Sequence, residues 1–159
     1  MPMKVGNQWI YRITELDSTG LTLSIRIDTV KIVKDTVILS EKWYYDNNGI
    51  LQTNRTDGRW IDSGTPYLIE KFPARLNDTY PIMDTTEGII ARVSTTDQAV
   101  NVPCGSFSVV TYRWTRNANP IGGFAYAPNT GLVKTELYAK SSAGVYVSSR
   151  KELITAVIN

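Results

Sequence analysis

The sequence predicts an all-β chain, and three observations carry that expectation. Apolar residues recur with period two along most of its length, the spacing that sends successive side chains to opposite faces of a strand. Short clusters of Asp, Asn, Ser and Thr ending in glycine interrupt those runs at the intervals of an antiparallel meander. No window of ten residues holds the 3.6-residue period of an amphipathic helix. At 159 residues the chain is read as one domain, 1–159, which hides roughly 70% of its unfolded surface on folding.

Taken in order, Trp9, Tyr11 and Ile13 open the first alternating run, and Leu21, Leu23, Ile25 and Ile27 form the second. In "LTLSIRIDTVKIV" the apolar phase then moves to even positions at Val30 and Ile32. A bulge near Asp28 to Thr29 would switch faces in that way and bend the strand, which suits a barrel or a strongly curved sheet. Val37, Leu39, Trp43 and Tyr45 read as a third run, and Ile89, Ala91 and Val93 as a later one. "DSTG" at 17, "DNNG" at 46, "TDG" at 56, "DSG" at 62, "TEG" at 86, "NTG" at 129 and "SAG" at 142 are the expected turns. Asn117 to Val133, interrupted by prolines and glycines, reads as loops and a short strand.

"PMKVGNQW" at 2–9 and "PARLNDTY" at 73–80 share one order: proline, basic residue, aliphatic residue, Gly6 or Asn77, Asn7 or Asp78, and a closing aromatic. Asparagine is the best non-glycine occupant of the left-handed region, so Gly6 and Asn77 can meet one backbone demand. The string is expected to be a strand-entry turn used once per half-chain. Its alternative is two unrelated turns of similar composition.

Composition excludes several classes. Hydrophobic residues make up 42% and charged residues 20%, ordinary globular usage. A net charge of +2 without a basic cluster argues against nucleic acid. No transmembrane segment is expected, and "MPMKVGNQWIYR" lacks the apolar core of a secretory signal, so the chain is cytosolic or its leader is missing from this sequence. The absence of histidine removes Ser-His-Asp and Cys-His nucleophile systems and most zinc sites; the single Cys104 removes thiolate clusters. No cofactor fingerprint, metal set or catalytic motif is present, and a noncatalytic protein is expected. A carboxylate pair for glycoside cleavage stays open in principle.

The candidate binding residues are aromatic. Trp9 with Tyr11, Trp43 with Tyr45 and Tyr112 with Trp114 stand at i, i+2, and Tyr126 lies in the strand-like "FAY". They line a cavity for an apolar or sugar ligand, or they fill the core. Glu41 falls in phase with Trp43 and Tyr45. If that face is interior it needs a cationic partner, for which Arg113 and Lys134 are in suitable phase; otherwise it reaches water at the rim.

"PMKVGNQWIY", "LIEKFPARLNDTY", "VNVPCGSFSVV" and "YAPNTGLVKTEL" in this order resemble a loosely defined set of uncharacterised bacterial envelope proteins, many of them lipoproteins. Those carry two proline-basic-aliphatic strings, a Val-Pro-Ala-Gly-x-Phe box and a Tyr-Ala-Pro-Gly-x-Gly-Leu-Val box. Where the family has alanine this chain has Cys104, expected to be a small packed residue, and where it has glycine this chain has Asn129 behind Pro128, the order of a type II turn. The resemblance implies an envelope or secreted location. Joined to the strand pattern and the aromatic pairs, it gives the first reading: a curved antiparallel sheet or barrel, lipocalin-like or like the lipoprotein carriers, holding an apolar or lipid-like small molecule. An interaction module that binds a protein or glycan through exposed aromatics is the alternative.

Overall fold

The computed structural model describes residues 1–82 and 88–159, and all of its regular structure is strand. Twelve strands follow one another: β1 (Gln8–Leu16), β2 (Thr22–Ile38), β3 (Glu41–Asp46), β4 (Leu51–Arg55), β5 (Gly58–Asp62), β6 (Pro66–Lys71), β7 (Thr79–Pro81), β8 (Ile89–Val102), β9 (Gly105–Arg116), β10 (Asn119–Ala127), β11 (Gly131–Ser141) and β12 (Gly144–Val157). Every pairing is antiparallel, in the order β6-β5-β4-β3-β2-β1-β12-β11-β10-β9-β8-β7. Each half of the chain is a six-stranded meander. The two meet where β1 pairs with β12, and the sheet curls into a nearly closed barrel.

At the remaining seam, side chains stand in for a ladder. The Tyr80 hydroxyl donates to the Ile69 carbonyl at 3.1 Å and accepts from the Lys71 amide at 3.2 Å, while the Tyr112 hydroxyl donates to the Lys71 carbonyl at 2.6 Å. Two phenols on the second meander thus satisfy the exposed edge of β6, whose amides and carbonyls would otherwise need water or another chain.

The repeated string forms the same turn twice. Gly6 and Asn77 have φ of 95° and 70°. The Gly6 amide donates to the Ile32 carbonyl at 2.9 Å, as the Asn77 amide does to Val93 at 3.0 Å. Asn7 and Asp78 then close back on Lys4 and Arg75, and their carbonyls accept from Ile32 and Val93. Trp9 lies opposite Val30 and Tyr80 opposite Ala91, each pair two residues from the docking contact. Both aromatics are buried.

β2 differs from its expected course. Its pairing with β1 is regular from Ser24 to Lys31, so no bulge lies at Asp28 to Thr29; the irregularities are at Leu23 against β1 and at Val33 against β3. The change of apolar phase has another cause: Ile25 and Ile27 are exposed at 62% and 60% on the outer face, while Ile32 is buried on the inner one. Leu39 is also misplaced by the pattern. It sits at φ 49° in the two-residue turn between β2 and β3, fully exposed, so Val37 and Leu39 do not continue into Trp43 and Tyr45.

The turn clusters fall where expected, except that Thr86 and Glu87 of "TEG" lie outside the described residues. Asp17 and Asp46 show how such clusters work. One oxygen of Asp17 accepts from the amides of Thr19 and Leu21, and one of Asp46 from those of Asn48 and Ile50. Asn129 holds φ 63° behind Pro128, with the Thr130 amide on the Ala127 carbonyl at 3.2 Å, the expected type II arrangement. Most of the Gly/Pro-rich stretch Asn117 to Val133 is strand, more than expected there: Asn119–Ala127 form β10, paired on both sides by β9 and β11, and β11 itself begins at Gly131. Cys104 is a correction: it is exposed at the tip of the β8–β9 hairpin, where the turn leaves nothing to pack on, and Phe107 behind it is the residue that anchors the arm to the core.

Candidate functional site

The barrel interior has two unlike walls. On the second meander, Tyr112 stacks on Phe124 with ring centroids 4.7 Å apart, and Tyr126 and Tyr80 meet this pair edge-on. On the first, the alternation of β4, β5 and β6 turns polar side chains inward. Gln52 lies opposite Tyr44, and Asn54 opposite Arg59, which in turn lies opposite Glu70. Arg59 grips Glu70 through both carboxylate oxygens, Nε to Oε2 at 3.0 Å and Nη2 to Oε1, and its remaining Nη1 donates to Gln52 Oε1 at 2.8 Å. Only 13% and 5% of the Arg59 and Glu70 side chains are exposed.

Between these walls lies a cleft of about 320 Å³, lined by Asn54, Arg59, Glu70, Phe72, Tyr112 and Tyr126, with Met1 and Pro2 at its border. Arg59 also faces the Tyr126 ring, 5.5 Å from its centroid. Burial opposes the guanidinium charge, but the Glu70 carboxylate outweighs it and holds the Arg59 pKa above its ordinary value. Burial drives the Tyr126 phenol well above the usual range, only partly countered by Arg59. Among the described residues its buried hydroxyl has no hydrogen bond of full geometry, and the Glu70 carboxylate acts on it by charge and as a poorly aligned hydrogen-bond acceptor. A buried hydroxyl left in this state costs about 1–3 kcal/mol, which a bound acceptor would recover.

The eight aromatic and acidic candidates are not one constellation. Tyr112 and Tyr126 line the cleft. Trp9 and Tyr11 are buried core, their polar atoms spent on the carbonyls of Thr130 at 2.6 Å and Leu132 at 3.1 Å. Trp114 is half-buried against Phe124, centroids 5.0 Å apart, and its indole N–H has no partner among the described residues. Glu41, Trp43 and Tyr45 lie on the far face of the sheet, because Tyr44 is the residue that pairs with inward-facing Gln52. There Glu41 takes a two-pronged bond from Arg55, both contacts at 2.7 Å, and Arg55 lies over the rings of Trp60 and Trp43 at 4.4 and 5.5 Å. The Arg55 contact lowers the Glu41 pKa. Neither Arg113 nor Lys134 is its partner; Lys134 pairs with Glu136 at 2.9 Å.

Arg59, Glu70 and Gln52 were not among the sequence candidates. Their strands are short and carry turn residues on both sides, so alternation gives no clue to which face is interior. The available signal was charge spacing, and it was incomplete: Arg59 and Glu70 flank "DSGTP", but a regular hairpin there sets Arg59 opposite Ile69, and only the register shift at Ile69 brings Glu70 to it.

Comparison with known proteins finds no matching family model and no matching curated protein. Among solved structures, the chain is similar to a Bacteroides fragilis protein thought to be exported, of YmcC-like fold: 15% identity, TM-score 0.54, covering 99% of this chain and 98% of that one. At that identity the likeness establishes the shared fold.

Proposed function

We propose that this is a noncatalytic, envelope-associated protein that takes an amphipathic, lipid-like small molecule into the cleft between its two meanders. The observation that carries this reading is the buried Tyr126 hydroxyl, which has no well-formed hydrogen bond among the described residues, at the wall of a cleft that is otherwise mainly apolar. An apolar body would lie against Phe72, Tyr112 and Tyr126, and an oxygen acceptor at its head would accept a hydrogen bond from the Tyr126 hydroxyl. The volume, about 320 Å³, is at the lower end of small-molecule sites, so a single short chain or ring system fits and a whole diacyl lipid does not.

The noncatalytic reading rests on Glu70. It is the carboxylate of the cleft among the described residues, and both of its oxygens are held by Arg59, which leaves no second acid for a two-carboxylate mechanism. The envelope location rests on the sequence boxes and on a fold shared with a protein thought to be exported.

Titration with a fluorescent medium-chain fatty acid tests the reading directly. Saturable binding, weakened about 2- to 10-fold in Tyr126→Phe by loss of one hydrogen bond, is expected. No saturable binding of fatty acids, and none of any component of a lipid extract by native mass spectrometry, would sink it.

A further inference from the structure

β2 is seventeen residues long and serves two partners in succession. Thr22–Lys31 pairs with β1, whereas β3 begins to pair only at Ile32. Among the described residues, the flank of Thr22–Lys31 that faces away from β1 is therefore a strand edge with no paired strand inside the sheet order. Its backbone polarity is fixed by its neighbours: the Ile32 amide and carbonyl turn toward the β1 side, to Asn7 and Gly6, so those of odd residues turn outward. Asn47 confirms this phase. Its amide donates to the Lys31 carbonyl at 2.9 Å, and its side chain accepts from the Lys31 amide at 2.7 Å and donates to the Thr29 carbonyl at 2.8 Å.

Asn47 caps one end of the edge, and the bulge at Leu23 ends its regular course at the other. Between them Ile25, Ile27 and Thr29 direct unpaired amides outward, and the Ile25 and Ile27 side chains are exposed at 62% and 60%. Natural edges are blunted by bulges, prolines or inward lysines. Here such devices flank the tract and leave its middle open.

We propose that this tract is the docking edge for a second copy of the chain, joined antiparallel about a two-fold axis at Ile27. The centre follows from the bounds, since Ile27 is midway between Ile25 and Thr29. A two-fold there sets Ile27 opposite its twin, Ile25 opposite Thr29, and Arg26 opposite Asp28 twice. Charge complementarity favours a copy of this chain over an arbitrary strand. Arg26 is exposed and has no ion-pair partner among the described residues. Asp28 spends Oδ2 on Lys151 at 2.6 Å, leaving Oδ1 for a guanidinium. A two-fold one position away would oppose Arg26 to Arg26. The Thr29 carbonyl, already bonded by Asn47, has a second lone pair for the partner's Ile25 amide.

Sedimentation of the full chain over a range of concentrations tests this. A concentration-dependent dimer is expected, weakened roughly tenfold or more by Ile27→Pro, which deletes the central outward amide without removing a bond to β1. Ile25→Lys combined with Ile27→Lys changes only exposed side chains and should give the monomer with an unaltered far-ultraviolet circular dichroism spectrum. Arg26→Asp alone and Asp28→Arg alone should each be monomeric, while their mixture forms a heterodimer. Wild type monomeric at its highest soluble concentration would overturn the proposal and leave the edge to an extended segment of a different protein. A dimer indifferent to both the proline and the double-lysine variants would overturn it equally.

Discussion

The two meanders begin with the same turn and bury aromatic residues alike, Trp9 and Tyr11 on the first and Tyr112 and Phe124 on the second, but the walls they turn to the cleft are of opposite chemistry. Asn7, Asp46, Gln52, Thr53 and Glu70, the buried polar residues among those described, all belong to the first six strands or the turn that leads into them. The second meander buries Tyr80, Val93, Tyr112, Phe124 and Tyr126. A turn that docks on the neighbouring strand fixes strand entry and register, and it leaves the inward residues free to diverge. The cleft exists where the divergent fillings face each other: polar strands cannot pack tightly on aromatic rings without leaving unmatched volume.

The same contrast appears within the turns. Asn7 is fully buried; its side chain donates to the Pro2 carbonyl at 3.0 Å and accepts from the Asn159 amide at 2.9 Å. Its counterpart Asp78 is near the surface and pairs with Lys71 at 3.0 Å. One copy fastens the two terminal segments together, and the other ties the edge strand β7 to the end of β6.

The sharpest way to break the comparison is at the polar wall. Glu70→Leu strands the Arg59 guanidinium in the interior and should cost about 3–5 kcal/mol in urea denaturation. Adding Arg59→Met should recover most of it, since a matched apolar pair would make the first meander resemble the second. A double variant no more stable than Glu70→Leu alone would show that the wall cannot be exchanged in this way.

The next largest effect is expected at Gly6. A β-branched side chain is strained by roughly 1–3 kcal/mol at positive φ, and a Cβ there would lie 3.3 Å from Asn159 Nδ2. Gly6→Val should therefore lower the melting temperature clearly, whereas Asn77→Gly should be nearly neutral because glycine accepts that backbone freely. Equal losses in the two variants would remove the equivalence of the turns. At the following position, Asn7→Ala should lose about 1–3 kcal/mol for the buried groups it leaves unpaired, and Asp78→Ala should lose distinctly less in the same assay.

Alkaline pH should act on buried phenols of both meanders. Burial raises the phenol pKa of Tyr80, Tyr112 and Tyr126 on the second meander above the ordinary tyrosine value, and that of Tyr11 on the first as well. The unfolded chain therefore releases these protons first, and stability that is complete below about pH 10 is lost as pH rises further. Tyrosinate absorbance should rise first from exposed phenols and then together with unfolding. Tyr80→Phe and Tyr112→Phe should each reduce the alkaline loss, although the seam bonds to β6 go with them. The smallest expected effect is at Cys104, whose exposed thiol contacts no core cluster; Cys104→Ala should leave the melting temperature and fatty-acid binding unchanged.

Sequence alone determined the strand class, the turns and the entry device. Each depends on local rules: alternation, Asp and glycine at turns, and a left-handed residue that Gly6 and Asn77 both supply. Alternation also marked Trp9, Tyr11 and Tyr112 as inward residues, but the same rule placed Glu41, Trp43 and Tyr45 with them; tertiary structure puts these three on the other face, where Trp43 is nevertheless buried and Glu41 and Tyr45 are partly exposed. A strand has two faces, and its pattern does not say which one a curled sheet will enclose. In β3 the aromatics occupy both faces, and the choice fell to the long-range register that brings Gln52 opposite Tyr44. The Arg59–Glu70 pair, the tyrosine seam and the open edge of β2 likewise depend on which strand lies beside which. That is decided by the closure of the whole sheet, where energies are summed over both meanders and no local window contains them.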